Sequence, residues 1–97
     1  MATIYFIVEK GTREVQINWI DSNDVDRRYL VLFIKSKIED KLYVIMKDLI
    51  GKNEWTCDLN DHEDRDEDAQ CIFVIDNTND VCINVTDDDN YCIAVTC

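Results

Sequence analysis

Three short apolar segments near the C-terminus constrain the fold most, because turn-forming residues separate them at regular intervals. They are residues 71–75 (CIFVI), 81–85 (VCINV) and 91–96 (YCIAVT), and DNTND and TDDDN lie between them. The chain has no proline and two glycines, so Asp and Asn must build the turns; their side chains hydrogen-bond the local backbone there. Connections of this length favour hairpins. The pattern therefore predicts a C-terminal antiparallel β-meander.

The N-terminal half begins with two further runs of β-forming residues. Residues 3–9 (TIYFIVE) and 13–20 (REVQINWI) flank a short break with Gly11, which predicts an N-terminal β-hairpin. The apolar run at 29–34 (YLVLFI) is compatible with a central strand or with the end of a helix capped at Ser22. A separate helical pattern begins at Ser36, directly after this run, and we therefore favour a strand at 29–34.

Residues 37–50 carry the pattern of an amphipathic helix. Ser36 and Glu39 have the spacing of a capping box, and Gly51 is placed to end the helix in a left-handed conformation. A short strand is predicted at 55–59, and the whole chain, 1–97, is predicted to be a single α+β domain. The apolar stripe of the predicted helix consists of Ile38, Leu42, Ile45, Met46 and Leu49.

The net charge is confined to the second half of the chain. Residues 1–50 contain eight acidic and eight basic side chains, whereas residues 51–97 contain thirteen acidic and two basic ones, which gives the full net charge of −11. Carboxylates at this density repel one another and destabilise a compact fold. A common reason for such an asymmetry is a cationic partner.

A meander would bring the acidic segments together. In an antiparallel arrangement the 60–70 loop and the 86–90 turn lie at one end of the strands, and the 76–80 turn lies roughly 15–20 Å away at the other. Duplex DNA carries one negative charge per about 1.7 Å of its axis, so these carboxylates can substitute for phosphates. The predicted partner-binding residues are Asp61, Glu63, Asp64, Asp66, Glu67, Asp68, Asp76, Asp80, Asp87, Asp88 and Asp89.

Other chemistries have weaker sequence support. The five cysteines are expected to be reduced and mostly buried thiols, since MATIYFIVEK has no basic n-region of a secretion signal and a cytoplasmic location is expected. No glycine follows Gly51, as an EF-hand calcium loop would need, and no Cys-x-x-Cys suggests zinc. The single histidine, His62, lies in the acidic loop. We therefore expect no cofactor, no metal and no enzymatic activity, and no membrane or direct nucleic-acid binding.

The length, the acidity and residues 30–68 (LVLFIKSKIEDKLYVIMKDLIGKNEWTCDLNDHEDRDED) resemble phage-encoded, DNA-mimicking anti-CRISPR proteins that act on the type I-F (Csy) surveillance complex. The resemblance rests on charge character and supplies no diagnostic motif. It implies binding to basic residues of the large subunit and adjoining backbone subunits, where target duplex enters, inside the host bacterial cell. The alternative is a small acidic interaction or scaffold module that binds an apolar or mixed surface, with acidity serving solubility.

Overall fold

The computed structural model describes residues 2–59, 71–76 and 79–97, which form two antiparallel four-stranded sheets. Sheet A has the strand order β1-β8-β7-β6, and sheet B has the order β2-β3-β4-β5. Among the described residues there is no helix, and hence none that is long and apolar enough to cross a membrane. The strands are β1 (Thr3–Val8), β2 (Glu14–Ile20), β3 (Asp26–Ser36), β4 (Lys41–Asp48), β5 (Glu54–Asp58), β6 (Cys71–Val74), β7 (Asp80–Val85) and β8 (Tyr91–Thr96).

The predicted α+β class and the predicted helix at 37–50 are wrong, because this stretch forms a turn and strand β4. The apolar residues of β4 satisfy two periods at once. Leu42 and Met46 fit a helical stripe, but with buried Val44 between them they also alternate as a strand does. Strand β3 pairs with β4 along eight residue pairs, and this partner decides in favour of the strand. Ile38, which would begin the helical stripe, is almost fully exposed in the turn.

The residues predicted to cap the helix build turns instead. The Ser36 hydroxyl accepts a hydrogen bond from the Glu39 N–H (3.3 Å), as in a capping box, but the chain then reverses through Asp40 at φ 51°. After β4, the left-handed residue is Lys52 (φ 63°) rather than Gly51. Glycine is favoured at position 51 for another reason: a Cβ there would force the Asp48 carboxylate, which accepts the N–H groups of Ile50 and Gly51, to move.

The predicted N-terminal hairpin is also wrong, although both of its strands exist. Strand β1 pairs with β8, and β2 pairs with β3, so residues 9–13 cross from one sheet to the other. Each strand has one apolar face, and alternation along a strand does not specify the neighbour that covers it. Placing β1 and β2 in different sheets lets the chain close a sandwich from its first connection.

The remaining strand predictions agree with the structure. The apolar run at 29–34 lies within β3, the short strand near 55–59 is β5, and the three C-terminal segments are the antiparallel strands β6, β7 and β8. For β6, β7 and β8 the local signal is the turn residues between short apolar runs, and for 29–34, where a helix end was the alternative, pairing with β2 and β4 decides in favour of the strand.

The inner faces of the two sheets form one core. Tyr29 of sheet B stacks on Trp19, with ring centroids 4.9 Å apart, and Phe33 of sheet B stacks on Tyr91 of sheet A at 4.5 Å. Connections 9–13, 37–40 and 86–90 share one end of the sandwich, which we call the 86–90 end; connections 21–25 and 49–53 lie at the opposite end, called the 21–25 end. The fully buried members of the core include Ile17, Tyr29, Val31, Val44, Met46, Cys71, Val81, Ile83, Ile93 and Val95.

Candidate partner-binding surface

Three consecutive carboxylates occupy the turn between β7 and β8. Asp87, Asp88 and Asp89 are all exposed at the 86–90 end. The turn is held by its own backbone: the Asp89 N–H donates to the Thr86 carbonyl (3.0 Å), and the Thr86 hydroxyl accepts from the Asn90 N–H (3.1 Å). The Lys10 ammonium is 3.9 Å from Asp89, but both side chains are well exposed and such a pair contributes little. The turn therefore presents nearly its full charge to solvent.

A disulfide joins the two sheets beside the acidic segment. Cys57 of β5 and Cys71 of β6 are bonded, with Cα atoms 6.3 Å apart, whereas Cys82, Cys92 and Cys97 form no disulfide. The expectation of five reduced thiols is therefore wrong for this pair. Spacing along the sequence gave no sign of it, because β5 and β6 are edge strands of different sheets that meet only in the folded sandwich.

Six of the predicted partner-binding residues lie in the segment between these cysteines and outside the described residues. Its two ends are described. The Leu59 N–H donates to the Leu42 carbonyl (2.9 Å), and Cys71 pairs with Ile83 in sheet A. Both ends are therefore held at the 86–90 end of the sandwich. The six residues are Asp61, Glu63, Asp64, Asp66, Glu67 and Asp68.

The predicted second patch, at the 21–25 end, consists of Asp76 and Asp80. The Asp76 carboxylate is engaged: Arg27 Nη2 donates to it at 2.9 Å, and its other oxygen accepts the Asn79 N–H at 2.9 Å. Asp80 begins β7 opposite Val74 and is exposed. Asp76 thus serves first to attach the end of β6 to sheet B.

Asp21 completes this connection, and sequence reasoning missed it. Its side chain is fully buried and accepts hydrogen bonds from the N–H groups of Asn23 (2.8 Å) and Val25 (3.0 Å) and from Arg27 Nε (2.9 Å). The Val25 N–H lowers the pKa of Asp21 most, and Asn23 and Arg27 lower it further against the opposing effect of burial. The segment DSNDV carries the composition of an Asx turn, but nothing local indicates that Arg27, the partner of Asp21 within sheet B, also pairs with Asp76 at the end of β6.

Arg27 therefore binds two carboxylates from two sheets, Asp21 in sheet B's first turn and Asp76 after β6. The arginine is about one-fifth exposed and Asp76 about one-third. This arrangement closes the 21–25 end of the sandwich. At the 86–90 end, Asp40 and Asp58 are paired with Lys35 and Lys41, whereas Asp87 and Asp88 have no ion-pair partner among the described residues.

Metal-ligand geometry is not found in the described parts of the chain, where no three His, Cys, Asp or Glu side chains are grouped as ligands. Comparison with protein-family models, with curated proteins and with solved structures gives no match. Any functional assignment therefore depends on the charge, the disulfide and the surfaces of the sandwich.

Proposed function

We propose that this protein is a phage-encoded inhibitor that presents carboxylates in place of DNA phosphates and blocks target-DNA binding by a type I-F CRISPR surveillance complex. Its partner would be the basic DNA-binding surface formed by the large subunit and adjoining backbone subunits, in the cytoplasm of the host bacterium. No catalysis and no cofactor are involved. The choice of complex comes from the sequence resemblance, and the mode of binding comes from the distribution of charge.

The observation that carries this proposal is that both ends of the acidic segment, which the Cys57–Cys71 disulfide joins, lie at the 86–90 end of the sandwich. Between Cys57 and Cys71 the sequence contains seven acidic residues and one arginine. The bond keeps the two ends of this stretch together at the 86–90 end, where residues 87–89 add three exposed carboxylates. A concentration of negative charge at one end of a compact domain matches a groove lined with Lys and Arg, which steers the encounter by long-range attraction.

The test measures target-duplex binding by the purified surveillance complex in the presence of the protein. The variant Asp87→Asn/Asp88→Asn/Asp89→Asn removes three charges from the turn, and Asn tolerates its left-handed residue. We expect weaker inhibition, and a wild-type inhibition that declines between about 50 and 200 mM salt, because attraction between exposed charges is screened.

The matched control removes three charges from the 21–25 end: Asp24→Asn, Asp26→Asn and Glu54→Gln, all exposed residues. It has the same net charge as the turn variant, so a non-specific charge effect would weaken both equally. Inhibition must survive in the control variant. Equal losses in the two variants, or inhibition that ignores salt, would contradict DNA mimicry.

The alternative function, an interaction module, is favoured by a different surface. On the outer face of sheet A, Tyr5 and Ile7 of β1 and Ile72 and Val74 of β6 are each more than half exposed. The register aligns Tyr5, Ala94, Cys82 and Ile72 in one row across the sheet. The four strands of sheet A contain no Lys or Arg, and Asp80 is their one acidic residue. Such a face suits an apolar partner.

Two substitutions separate the functions. Ile7→Thr and Ile72→Thr keep β-branched side chains on exposed positions and so preserve the strands, but they make the outer face of sheet A more polar. An interaction module would lose its partner in this double variant at any salt concentration. The DNA-mimicking inhibitor would retain its inhibition.

A further inference from the structure

A cavity opens at the 86–90 end, beside the connection at 9–13 where the chain crosses between the sheets. Its volume is about 1020 Å³, at the upper end of the range of pockets that hold small organic ligands. The connection itself, the last residues of β3, the start of β4 and the flanks of the 86–90 turn line it. These elements come from both sheets, so the cavity is a property of the assembled sandwich.

The inner part of the cavity is apolar. Phe33 and Tyr91 stack there with ring planes 10° apart, and Leu42 and Val85 contribute aliphatic walls. Val85 is 42% exposed, so this wall is open to solvent. Burial raises the pKa of Tyr91 and the positive charge of Lys35 lowers it, which places a cation near the phenol. The aromatic or aliphatic part of a ligand can therefore pack inside the cavity, with a basic side chain of the protein close to it.

The residues that line the cavity carry a net positive charge, whereas the protein as a whole is negative. It includes four of the ten basic residues of a chain whose net charge is −11, and Glu14 is the one acidic residue of the lining. The four basic residues come from the 9–13 connection and from the end of β3 with the turn that follows it. They are Lys10, Arg13, Lys35 and Lys37.

Two of these cations are already paired at the surface, and two are available. Lys10 is 3.9 Å from Asp89, and Lys35 is 2.9 Å from Asp40, in pairs whose side chains are more than half exposed. Among the described residues, no carboxylate lies within ion-pair distance of Arg13 or Lys37. These two side chains are therefore the natural contacts for an incoming anion.

We propose that this cavity binds a monoanionic amphiphile: a molecule with an aromatic or aliphatic body and a single carboxylate or sulfonate group held by Arg13 and Lys37. A polyanion is less suited, because Lys10 and Lys35 are already paired with Asp89 and Asp40 and the nearby 86–90 turn repels further negative charge. A neutral apolar molecule would leave the two cations without a counterion. This site does not depend on the proposed inhibition, since it uses basic residues of the charge-balanced half.

The experiment uses two fluorescent probes with the same body. Anilinonaphthalene sulfonate carries one negative charge, and N-phenylnaphthylamine is its neutral analogue. The variant Arg13→Gln/Lys37→Gln is compared with Arg28→Gln/Lys52→Gln, which removes the same residue types from the 21–25 end. Loss of charge-assisted hydrogen bonds should raise the Kd of the sulfonate at least about tenfold in the first variant. In the second variant the Kd should stay within about twofold of wild type.

A third variant tests the body of the ligand. Val85→Trp places a bulky group on a partly exposed wall of the cavity, where it narrows the space for the ligand body and should weaken both probes. Thermal unfolding of every variant verifies that the bound dye reports a folded protein. The proposal is overturned if wild type shows no saturable binding, if both probes bind with equal affinity, or if the two charge variants lose binding equally.

Discussion

Reduction of the Cys57–Cys71 disulfide should lower stability by an amount set by the loop that it closes. The two residues are 14 positions apart, and the chain-entropy relation gives about 3 kcal/mol for a closed loop of this size. Repulsion among the seven acidic residues of the loop acts in the same direction, because reduction lets them separate in the unfolded chain. The expected loss is a large fraction of a small domain's stability.

The assay is urea unfolding of the wild-type protein with and without reductant, with the thiol count verified by mass spectrometry. The double variant Cys57→Ala/Cys71→Ala is the control: reductant should leave its free energy of unfolding unchanged, since Cys82, Cys92 and Cys97 form no disulfide. Equal free energies for oxidised and fully reduced wild type would refute the reasoning.

Three further predictions follow from particular residues. The folded-state pKa of Asp21 is lowered, so its contribution to stability is complete above its unfolded pKa and is lost as pH falls through the folded value; the difference in free energy of unfolding between wild type and Asp21→Asn should therefore shrink on acidification in urea titrations at several pH values. Charge reversal of residues 66–68 should reduce binding of the surveillance complex more than reversal of Asp24, Asp26 and Glu54 at the 21–25 end, and calorimetry that gives equal losses would contradict the mapping. Gly51→Ala should cost about 1 kcal/mol in the same urea assay, because the new Cβ displaces a carboxylate that accepts two backbone N–H groups.

The strands could be predicted wherever one period fitted the sequence and no other. Strands β6, β7 and β8 alternate cleanly between Asp- and Asn-rich turns, and the structure has them within a few residues of the predicted bounds. In β4, positions 42 and 46 fit the helical and the extended pattern equally well. Pairing with β3 makes this stretch a strand rather than a helix. Such a contact cannot be predicted from the local sequence of β4.

The sequence predicted which acidic residues make up the candidate site, but it did not predict the bonds that join this part of the chain to the two sheets. The acidic residues are visible in the sequence, and so is the effect of the antiparallel β6–β8 arrangement in placing residues 71 and 86–90 at one end. The disulfide and the Arg27–Asp76 ion pair join elements of different sheets. To predict them, one must know that the chain crosses between the sheets at residues 9–13, whereas the sequence pattern predicted a hairpin there.

The disulfide and the proposed cytoplasmic partner make opposite demands, because disulfides are rare in a reducing cytosol. The structure offers a resolution: the Leu59 N–H remains bonded to the Leu42 carbonyl, and Cys71 remains paired with Ile83, through contacts that belong to the sheets. The reduced protein should therefore keep both ends of the acidic segment at the 86–90 end and inhibit as the oxidised protein does, with lower stability. Loss of inhibition on reduction, in a sample that circular dichroism still shows to be folded, would instead assign the acidic segment to a partner in an oxidising compartment.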